Sequence, residues 1–150
     1  FNDWDHIGHL NNVKYLDYML NAREDHVESG YGFTYEQYTR KTGCTWITIQ
    51  NEIAYLKEVR YNARVIISSK TIEIGDRLSK VEILMKSEDG KTIHSVLWLS
   101  IIYFNMKTRK SDVHPEDTKA LFQKFLVELE EKDFKNRVST LRKQNKKQDK

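Results

Sequence analysis

The chain has 150 residues, of which 25 are Lys or Arg and 22 are Asp or Glu, so that its formal net charge is +3. This length fits one globular domain, and a hydrophobic fraction of 39% excludes a disordered chain. The longest apolar stretch, residues 96–104, is too short to span a bilayer, so we expect no membrane insertion.

Cys44 is the one cysteine, which excludes an intrachain disulfide and is typical of a reducing compartment such as the cytoplasm. It begins an apolar strand and has no histidine near it in sequence, so we expect a buried core residue. The chain opens on Phe1 and not on Met, which leaves a removed targeting segment as an open alternative.

The first long pattern, residues 12–29, is helical. Val13, Leu16, Leu20 and Val27 follow one another at helical spacing, and Gly30 stands where helices commonly end. A helix of this length with so wide an apolar stripe is typical of one that a sheet wraps around.

A short second helix is predicted by Thr34 and Gln37, which form a capping-box pattern, and by Gly43 at its end. The period then changes to that of strands, over residues 45–56, 63–74, 77–86 and 92–104. Short connections predict that these four strands form an antiparallel meander.

Two further features refine the sheet. The sequence EDGK at residues 88–91 is typical of a tight hairpin, because Asp-Gly tolerates positive φ. The last strand is apolar at nearly every position, which predicts that both of its faces are covered.

After the sheet, Pro115 opens a predicted helix over residues 115–132, with an apolar stripe of Leu121, Phe125 and Leu129. Eight basic and two acidic residues then lie in residues 132–150, which carry +6, while residues 1–131 carry −3. We therefore predict an α+β domain over residues 1–131 and a basic tail over residues 132–150. Weak apolar periodicity favours a solvated, partly frayed helix end, and we expect no nucleic-acid partner.

The opening stretch DWDHIGHLNN, residues 3–12, concentrates the candidate chemistry. His6 and His9 beside two aspartates suggest metal ligands, but no second cluster of Cys or His follows at ligand spacing, so we expect no metal. No G-x-S-x-G elbow is present, which argues against a serine nucleophile, and no phosphate loop, which argues against nucleotide binding. We expect no cofactor.

A carboxylate beside a helix N-terminus is the remaining interpretation. The first amides of a helix have no intrahelical partner and bind a polarised oxygen, and Gly8 allows a close approach to them. Asp5 would then face a carbonyl bound at those amides and act as general base or nucleophile. The alternative is that Asp5 or Asn11 simply caps the helix.

The segment FNDWDHIGHLNNVKYLDYMLNARED resembles the D-x-D-x-x-G-H-V-N-N-x-x-Y-L-x-Y segment of hotdog-fold acyl-CoA thioesterases of the 4-hydroxybenzoyl-CoA thioesterase type. Residues 52–75 also resemble the strand pair of that family, with Asn62 where its R-Y-G-D turn has glycine. The resemblance covers roughly residues 1–105. It implies a hotdog fold, an antiparallel sheet around a long central helix, here with an added C-terminal helix.

Carried over by position, the resemblance implies that Asp5 is the catalytic carboxylate and that the backbone N–H of Asn12 polarises the thioester carbonyl. It places Gly8, Asn11 and Tyr15 beside the substrate, with Tyr15 expected to pack. Asp3 matches the first aspartate of the motif, for which we expect a structural role.

The same segment is similar to that of plant acyl-carrier-protein thioesterases, in which an Asp, an Asn and a His cooperate. Asp5 and His9 fit that pattern, but Ile7 occupies the position of the Asn. A catalytic His9 and a structural His9 both stay open.

The resemblance implies hydrolysis of an acyl-CoA in fatty acid metabolism, by a homodimer or homotetramer that builds its site between protomers. Four basic residues are candidates to face the CoA phosphates, namely Lys57, Arg60, Arg64 and Lys70, and solvated surface charge is the alternative for each of them. Arg60 is the one that we assign to the substrate. The alternatives are an acyl-carrier-protein thioesterase and a non-catalytic module that binds acyl thioesters.

Overall fold

The computed structural model describes residues 19–23, 28, 32–60 and 63–148. Residues 19–23, the described part of the predicted central helix, are helical, as is residue 28. The remaining elements are α1 (Tyr35–Thr42), β1 (Cys44–Tyr55), β2 (Val65–Ile74), β3 (Leu78–Ser87), β4 (Ile93–Asn105), β5 (Lys110–Ser111), α2 (Glu116–Lys124) and α3 (Phe134–Gln148).

The four long strands form one antiparallel sheet in the order β1-β4-β3-β2, and β5 pairs with the end of β4. The predicted antiparallel arrangement is confirmed, and β2, β3 and β4 do form a meander. The predicted neighbour of β1 is wrong, because β1 lies beside β4 and not beside β2. A strand buried as completely as β4 needs hydrogen-bond partners along both edges, and β1 supplies the second.

Side chains of the sheet alternate between two faces, and each face carries its own core. On the inner face, Met19 and Leu20 of the helical segment pack against a set of strand residues, Val81, Ile83, Met85, Leu97, Leu99 and Ile101. On the outer face, Leu141 of α3 packs against Leu84, Ile93, Val96 and Trp98. The prediction that the last strand is covered on both faces is therefore confirmed.

Local signals set the ends of several elements as predicted. The Thr34 hydroxyl accepts a hydrogen bond from the Gln37 N–H at 3.1 Å, and the Gln37 side chain accepts one from the Thr34 N–H at 3.0 Å. Gly43 ends α1 with φ of 75°, and Gly90 has the same φ in the β3–β4 turn, so both positions favour glycine. Cys44 is buried with a free thiol, as expected.

The structure corrects two predictions at the carboxyl end. The helix predicted over residues 115–132 starts after Pro115 but ends at Lys124, because the next residues pair with the edge of β2. Leu126 forms a parallel bridge with Thr71, and the Val127 N–H donates to the Thr71 carbonyl at 2.9 Å.

The second correction concerns the tail. Residues 134–148 form α3, which packs on the sheet, so a solvated tail is wrong for this stretch. Leu141 is 1% exposed, and the Asn145 side chain bonds to both backbone groups of Ile93 at 2.8 Å. None of the helices in the described parts of the chain is long and apolar enough to cross a membrane.

A buried ion pair anchors α3 to the sheet. The Arg137 guanidinium donates to both carboxylate oxygens of Glu82, at 2.7 and 2.8 Å, and the Trp98 indole N–H donates to the same group at 2.9 Å. Burial alone would raise the pKa of Glu82, but these hydrogen bonds outweigh it and hold the pKa below its ordinary value. Glu82 is therefore ionised and fully paired.

We expect Arg137→Ala to lower the free energy of unfolding by about 3–5 kcal/mol, because the buried Glu82 carboxylate loses its bidentate partner and keeps only the cation of Lys70, 3.5 Å away. Urea unfolding followed by circular dichroism measures this loss. Arg142→Ala, an exposed change on the same helix, should stay within roughly 0.5 kcal/mol of the wild type. Equal stability of the two variants would contradict the anchoring role of α3.

Candidate functional site

The site predicted at the amino end lies outside the described residues and stays a prediction. Its members are Asp3, Asp5, Gly8, His9, Asn11, Asn12 and Tyr15. What the structure describes is the inner face of the sheet and the helical residues 19–23 that pack on it, which follow those residues in sequence.

Arg60 lies in the turn that leads from β1 to β2. Its carbonyl accepts a hydrogen bond from the Ala63 N–H at 3.0 Å, and its side chain is 84% exposed, 3.5 Å from the Glu58 carboxylate. Its predicted contact with the substrate stays a prediction. Lys70, another candidate for the CoA phosphates, lies on the outer face, opposite Glu82 in the register of β2 and β3.

A cavity of about 230 Å³ lies between the helical segment and the inner face of the sheet. Its floor is formed by Val81, Leu99 and Ile101, which are all buried. Its remaining lining consists of Leu20, Arg23, Tyr35, Trp46 and Thr48. The cavity is therefore mainly apolar and adjoins the β1 edge of the sheet, which provides Trp46 and Thr48.

Arg23 is the charged residue of this cavity and is only 6% exposed. Its guanidinium donates to the Ser69 hydroxyl at 3.3 Å and to the Thr71 hydroxyl at 3.2 Å, both on β2. These bonds hold a positive charge next to an apolar space. In such surroundings of low dielectric, the charge would interact strongly with a polar acyl substituent or a polarised oxygen.

Trp46 forms the aromatic wall of the cavity, and its orientation is fixed from behind. The indole N–H donates to Nε2 of His114 at 2.9 Å, while Nδ1 of His114 lies 3.0 and 2.9 Å from the carbonyls of Gly75 and Asp76. This pattern requires neutral His114 with its proton on Nδ1. His114 is thus a positioning residue for Trp46.

Further aromatic rings surround Trp46. Tyr38 and Tyr103 lie 4.7 and 5.3 Å from it between ring centroids, and their hydroxyls are 2.7 Å apart. The Tyr38 hydroxyl also lies 2.9 Å from the Thr118 hydroxyl. Burial and the bond to Tyr38 raise the pKa of Tyr103 far above its ordinary value, so the Tyr103 hydroxyl stays protonated and its role is structural.

The described lining of the cavity contains no carboxylate, so this part of the site can bind but cannot supply a base. Within the described ranges no three His, Cys, Asp or Glu side chains converge as metal ligands. A larger cavity of about 410 Å³ lies between α1 and α2, but it shares no lining residue with the cavity under the helix.

Sequence reasoning missed Arg23, Trp46 and Thr48 as lining residues. Arg23 had a detectable signal, because it follows Met19 by four residues and so interrupts the apolar stripe of the helix with a charge. Thr48 had none, because a β-bulge between Thr48 and Gln50 changes which residues of β1 face inward.

Comparison with known proteins identifies the class to which this fold and site belong. A profile of the Thioesterase-like superfamily matches residues 1–122. The chain therefore belongs to the Thioesterase-like superfamily, and the resemblance seen in the sequence is confirmed. A search of curated proteins finds no match.

Solved structures agree on the fold. A Staphylococcus aureus protein solved in complex with CoA is 18% identical, with a TM-score of 0.74 over 88% of this chain and 84% of that one. A probable thioesterase from Escherichia coli is 15% identical, with a TM-score of 0.72 over 84% and 92%. A DHNA-CoA thioesterase from S. aureus is 19% identical, with a TM-score of 0.71 over 83% of both. The fold is the hotdog fold, as expected.

The stability of the protein should depend on pH through His114. Burial lowers the pKa of His114 below its ordinary value of 6.5, and the same holds for His94. As the pH drops, the histidines of the unfolded chain bind protons before those of the folded protein do. The contribution of the neutral histidines to the free energy of unfolding is therefore fully present above pH 6.5 and decreases below it.

We expect His114→Gln to lose roughly 1–3 kcal/mol at pH 7.5, because it disturbs the bonds to Trp46 and the carbonyls. It should also show a shallower decline of stability below pH 6.5 than the wild type. Urea unfolding by circular dichroism at several pH values measures both effects. A slope equal to that of the wild type would show that His114 titrates normally in the folded protein.

Proposed function

We propose that the protein hydrolyses an acyl-CoA thioester to a free carboxylic acid and CoA. The observation that carries this proposal is the mainly apolar cavity under the central helix, in a chain of the Thioesterase-like superfamily. Its volume of about 230 Å³ suits an acyl group, and its position at the β1 edge leaves a path along which pantetheine extends outward.

Asp5 supplies the base that the described lining lacks. In the proposed reaction the thioester carbonyl oxygen accepts a hydrogen bond from the backbone N–H of Asn12. This bond stabilises the negative charge that develops on that oxygen. Asp5 removes a proton from water as its oxygen bonds to the carbonyl carbon, or attacks that carbon itself. The carbon–sulfur bond then breaks, and the CoA sulfur leaves as thiolate and takes up the proton that Asp5 holds. In the nucleophilic route an acyl–Asp5 anhydride forms first, the thiolate takes its proton from water, and a second water hydrolyses the anhydride to the free acid and restores Asp5.

Relatives support CoA as the carrier. The S. aureus structure described above contains CoA, and a thioesterase from Thermus thermophilus was solved with coenzyme A and Zn. A DHNA-CoA thioesterase lies among the similar structures as well. On this basis we place the substrate among CoA esters, with Gly8, Asn11 and Tyr15 beside it and Arg60 toward the phosphates. The buried free thiol of Cys44 is compatible with a protein that functions in the reducing cytoplasm.

Two alternatives use the same fold. An acyl-carrier-protein thioesterase would require His9 to act with Asp5. A non-catalytic module would bind the thioester without cleaving it, but such a site gains nothing from a carboxylate next to the carbonyl. Measuring hydrolysis of short, medium, long and aromatic acyl-CoAs separates an enzyme from a binding module and identifies the acyl class.

A homodimer, or a tetramer built from it, is part of the proposal. Strand β1 is twelve residues long and pairs only with β4 among the described strands. Ile47 and Ile49 on it are 37% and 57% exposed, which is unusual for the middle of an apolar strand. A second copy pairing along β1 would cover these residues and complete the wall of the cavity beside Trp46 and Thr48.

The catalytic assignment predicts that Asp5→Asn folds and binds acyl-CoA like the wild type, while turnover falls by roughly two to four orders of magnitude. Asparagine keeps the shape but cannot accept the proton. Steady-state hydrolysis of acyl-CoA, with binding measured by calorimetry, gives both quantities.

Asp3→Asn is the matched control and should cost much less in turnover. His9→Ala tests whether His9 acts with Asp5, as in the acyl-carrier-protein thioesterases. A loss of turnover equal to that of Asp5→Asn would favour that alternative. Asparagine caps a helix as well as aspartate does, so full activity in Asp5→Asn would mean that Asp5 is only a cap.

The assembly prediction concerns the β1 edge. Light scattering at micromolar concentration should give a dimer or larger for the wild type and a smaller species for Ile49→Lys, since a buried lysine opposes strand pairing. Val113→Lys, a change at a residue 46% exposed beyond the sheet, should leave the mass unchanged. A wild-type monomer with full activity would refute a shared site.

A further inference from the structure

A cleft of about 310 Å³ lies on the outer face of the sheet, between α3, the β3–β4 turn and the ends of β2 and β3. Five cationic side chains line it, namely Lys70, Lys86, Lys91, Arg137 and Lys147. Among the residues that the structure describes, no acidic side chain is part of its lining. The cleft is on the opposite face of the sheet from the cavity under the helical segment.

The floor of the cleft is rigid. Leu84, Ile93 and Leu141 are 5%, 6% and 1% exposed, and they hold α3 against the sheet beneath the cations. The Arg137 guanidinium is fixed at this floor by its two bonds to Glu82. The charges above therefore converge on a preformed hollow.

Nearby carboxylates of the described residues offset only part of this positive charge. Glu82 lies beneath the cleft, where it pairs with Arg137 and lies 3.5 Å from Lys70, and Glu131 lies 3.5 Å from Arg137. Asp89 is beside Lys91 in the turn, and its carboxylate accepts hydrogen bonds from the Ser87 hydroxyl and the Lys91 backbone N–H. Neither Lys86 nor Lys147 forms an ion pair with any residue that the structure describes.

Cations that outnumber the nearby carboxylates cost folding energy, and a concave wall of low dielectric strengthens the field. Lys147 has a separate explanation, since a cation in the last turn stabilises a helix, and Lys91 has Asp89 beside it in the turn. Lys86 has no such explanation, because it extends from β3 toward the hollow and forms no ion pair with a described residue.

We propose that this cleft binds a compact polyanion of the phosphate class, carrying at least two adjacent phosphate charges. Lysine ammonium groups bind phosphate oxygens as point charges, and Arg137, which is paired with Glu82, adds positive charge at the floor. The volume suits a diphosphate or the phosphorylated part of a nucleotide. A hollow of this size favours such a small ligand over the backbone of a long nucleic acid, which a basic stripe would serve better.

The test is calorimetric titration of the full chain with inorganic pyrophosphate. We expect one saturable site in the wild type and at least a tenfold weaker affinity in Lys86→Gln/Lys91→Gln/Lys147→Gln. A second titration with 3′,5′-ADP distinguishes the source of the phosphate, since tighter binding than pyrophosphate assigns the cleft to a nucleotide and weaker binding assigns it to a free diphosphate.

The matched control is Arg142→Gln/Lys143→Gln/Lys146→Gln, which removes the same charge from exposed positions that do not line the cleft. It should keep wild-type affinity for pyrophosphate. Absence of saturable binding by the wild type would overturn the proposal. The proposal would also be overturned if the two triple variants lost equal affinity for pyrophosphate or for a single-stranded oligonucleotide. Equal losses are the behaviour of a helix whose positive charge is spread over its surface. Circular dichroism melting confirms that both variants fold.

Discussion

Strand β4 imposes the constraint on which the rest of the structure depends. It is apolar and buried along nearly all of Ile93–Asn105, so each of its faces needs a cover and each of its edges needs a paired strand. Strands β3 and β1 pair with the edges, the helical residues 19–23 pack on the inner face and α3 covers the outer one. An element missing from any of these four sides would leave backbone or apolar surface of β4 in water.

The two covers differ in chemistry, and each creates a distinct site. On the inner face the helical segment leaves a mainly apolar cavity, in which Arg23 is the charged lining residue and Trp46 is the wall. On the outer face α3 is joined to the sheet by the pair of Glu82 and Arg137, and that helix carries cations to the rim of a second hollow. One sheet thereby separates a space suited to an acyl group from a space suited to phosphate.

Parts of the candidate site can be predicted from the sequence only where the interactions that form them are between residues close in sequence. The amino-terminal motif is contiguous, so Asp5 and its neighbours stand out in the sequence together. The cavity is assembled from the helical segment, the start of α1 and three strands, and a bulge at Ile49 changes the inward face of β1 halfway along it. Periodicity assumes an unbroken alternation, so it could not assign Thr48 to the cavity. Trp46 was equally hidden, because its orientation depends on His114, which is 68 residues away in sequence.

The sequence by itself determined the features that depend on neighbouring residues. The capping box of Thr34 and Gln37, the glycine that ends α1, the Asp-Gly turn and the apolar run of β4 all fold as their local chemistry requires. Only the tertiary structure decided that β1 lies beside β4 and that residues 134–148 pack on the sheet. In sequence Glu82 and Arg137 are two ordinary charges 55 residues apart, each expected in solvent. These charges are stable when buried only because they form an ion pair with each other, and that ion pair exists only after the chain has folded.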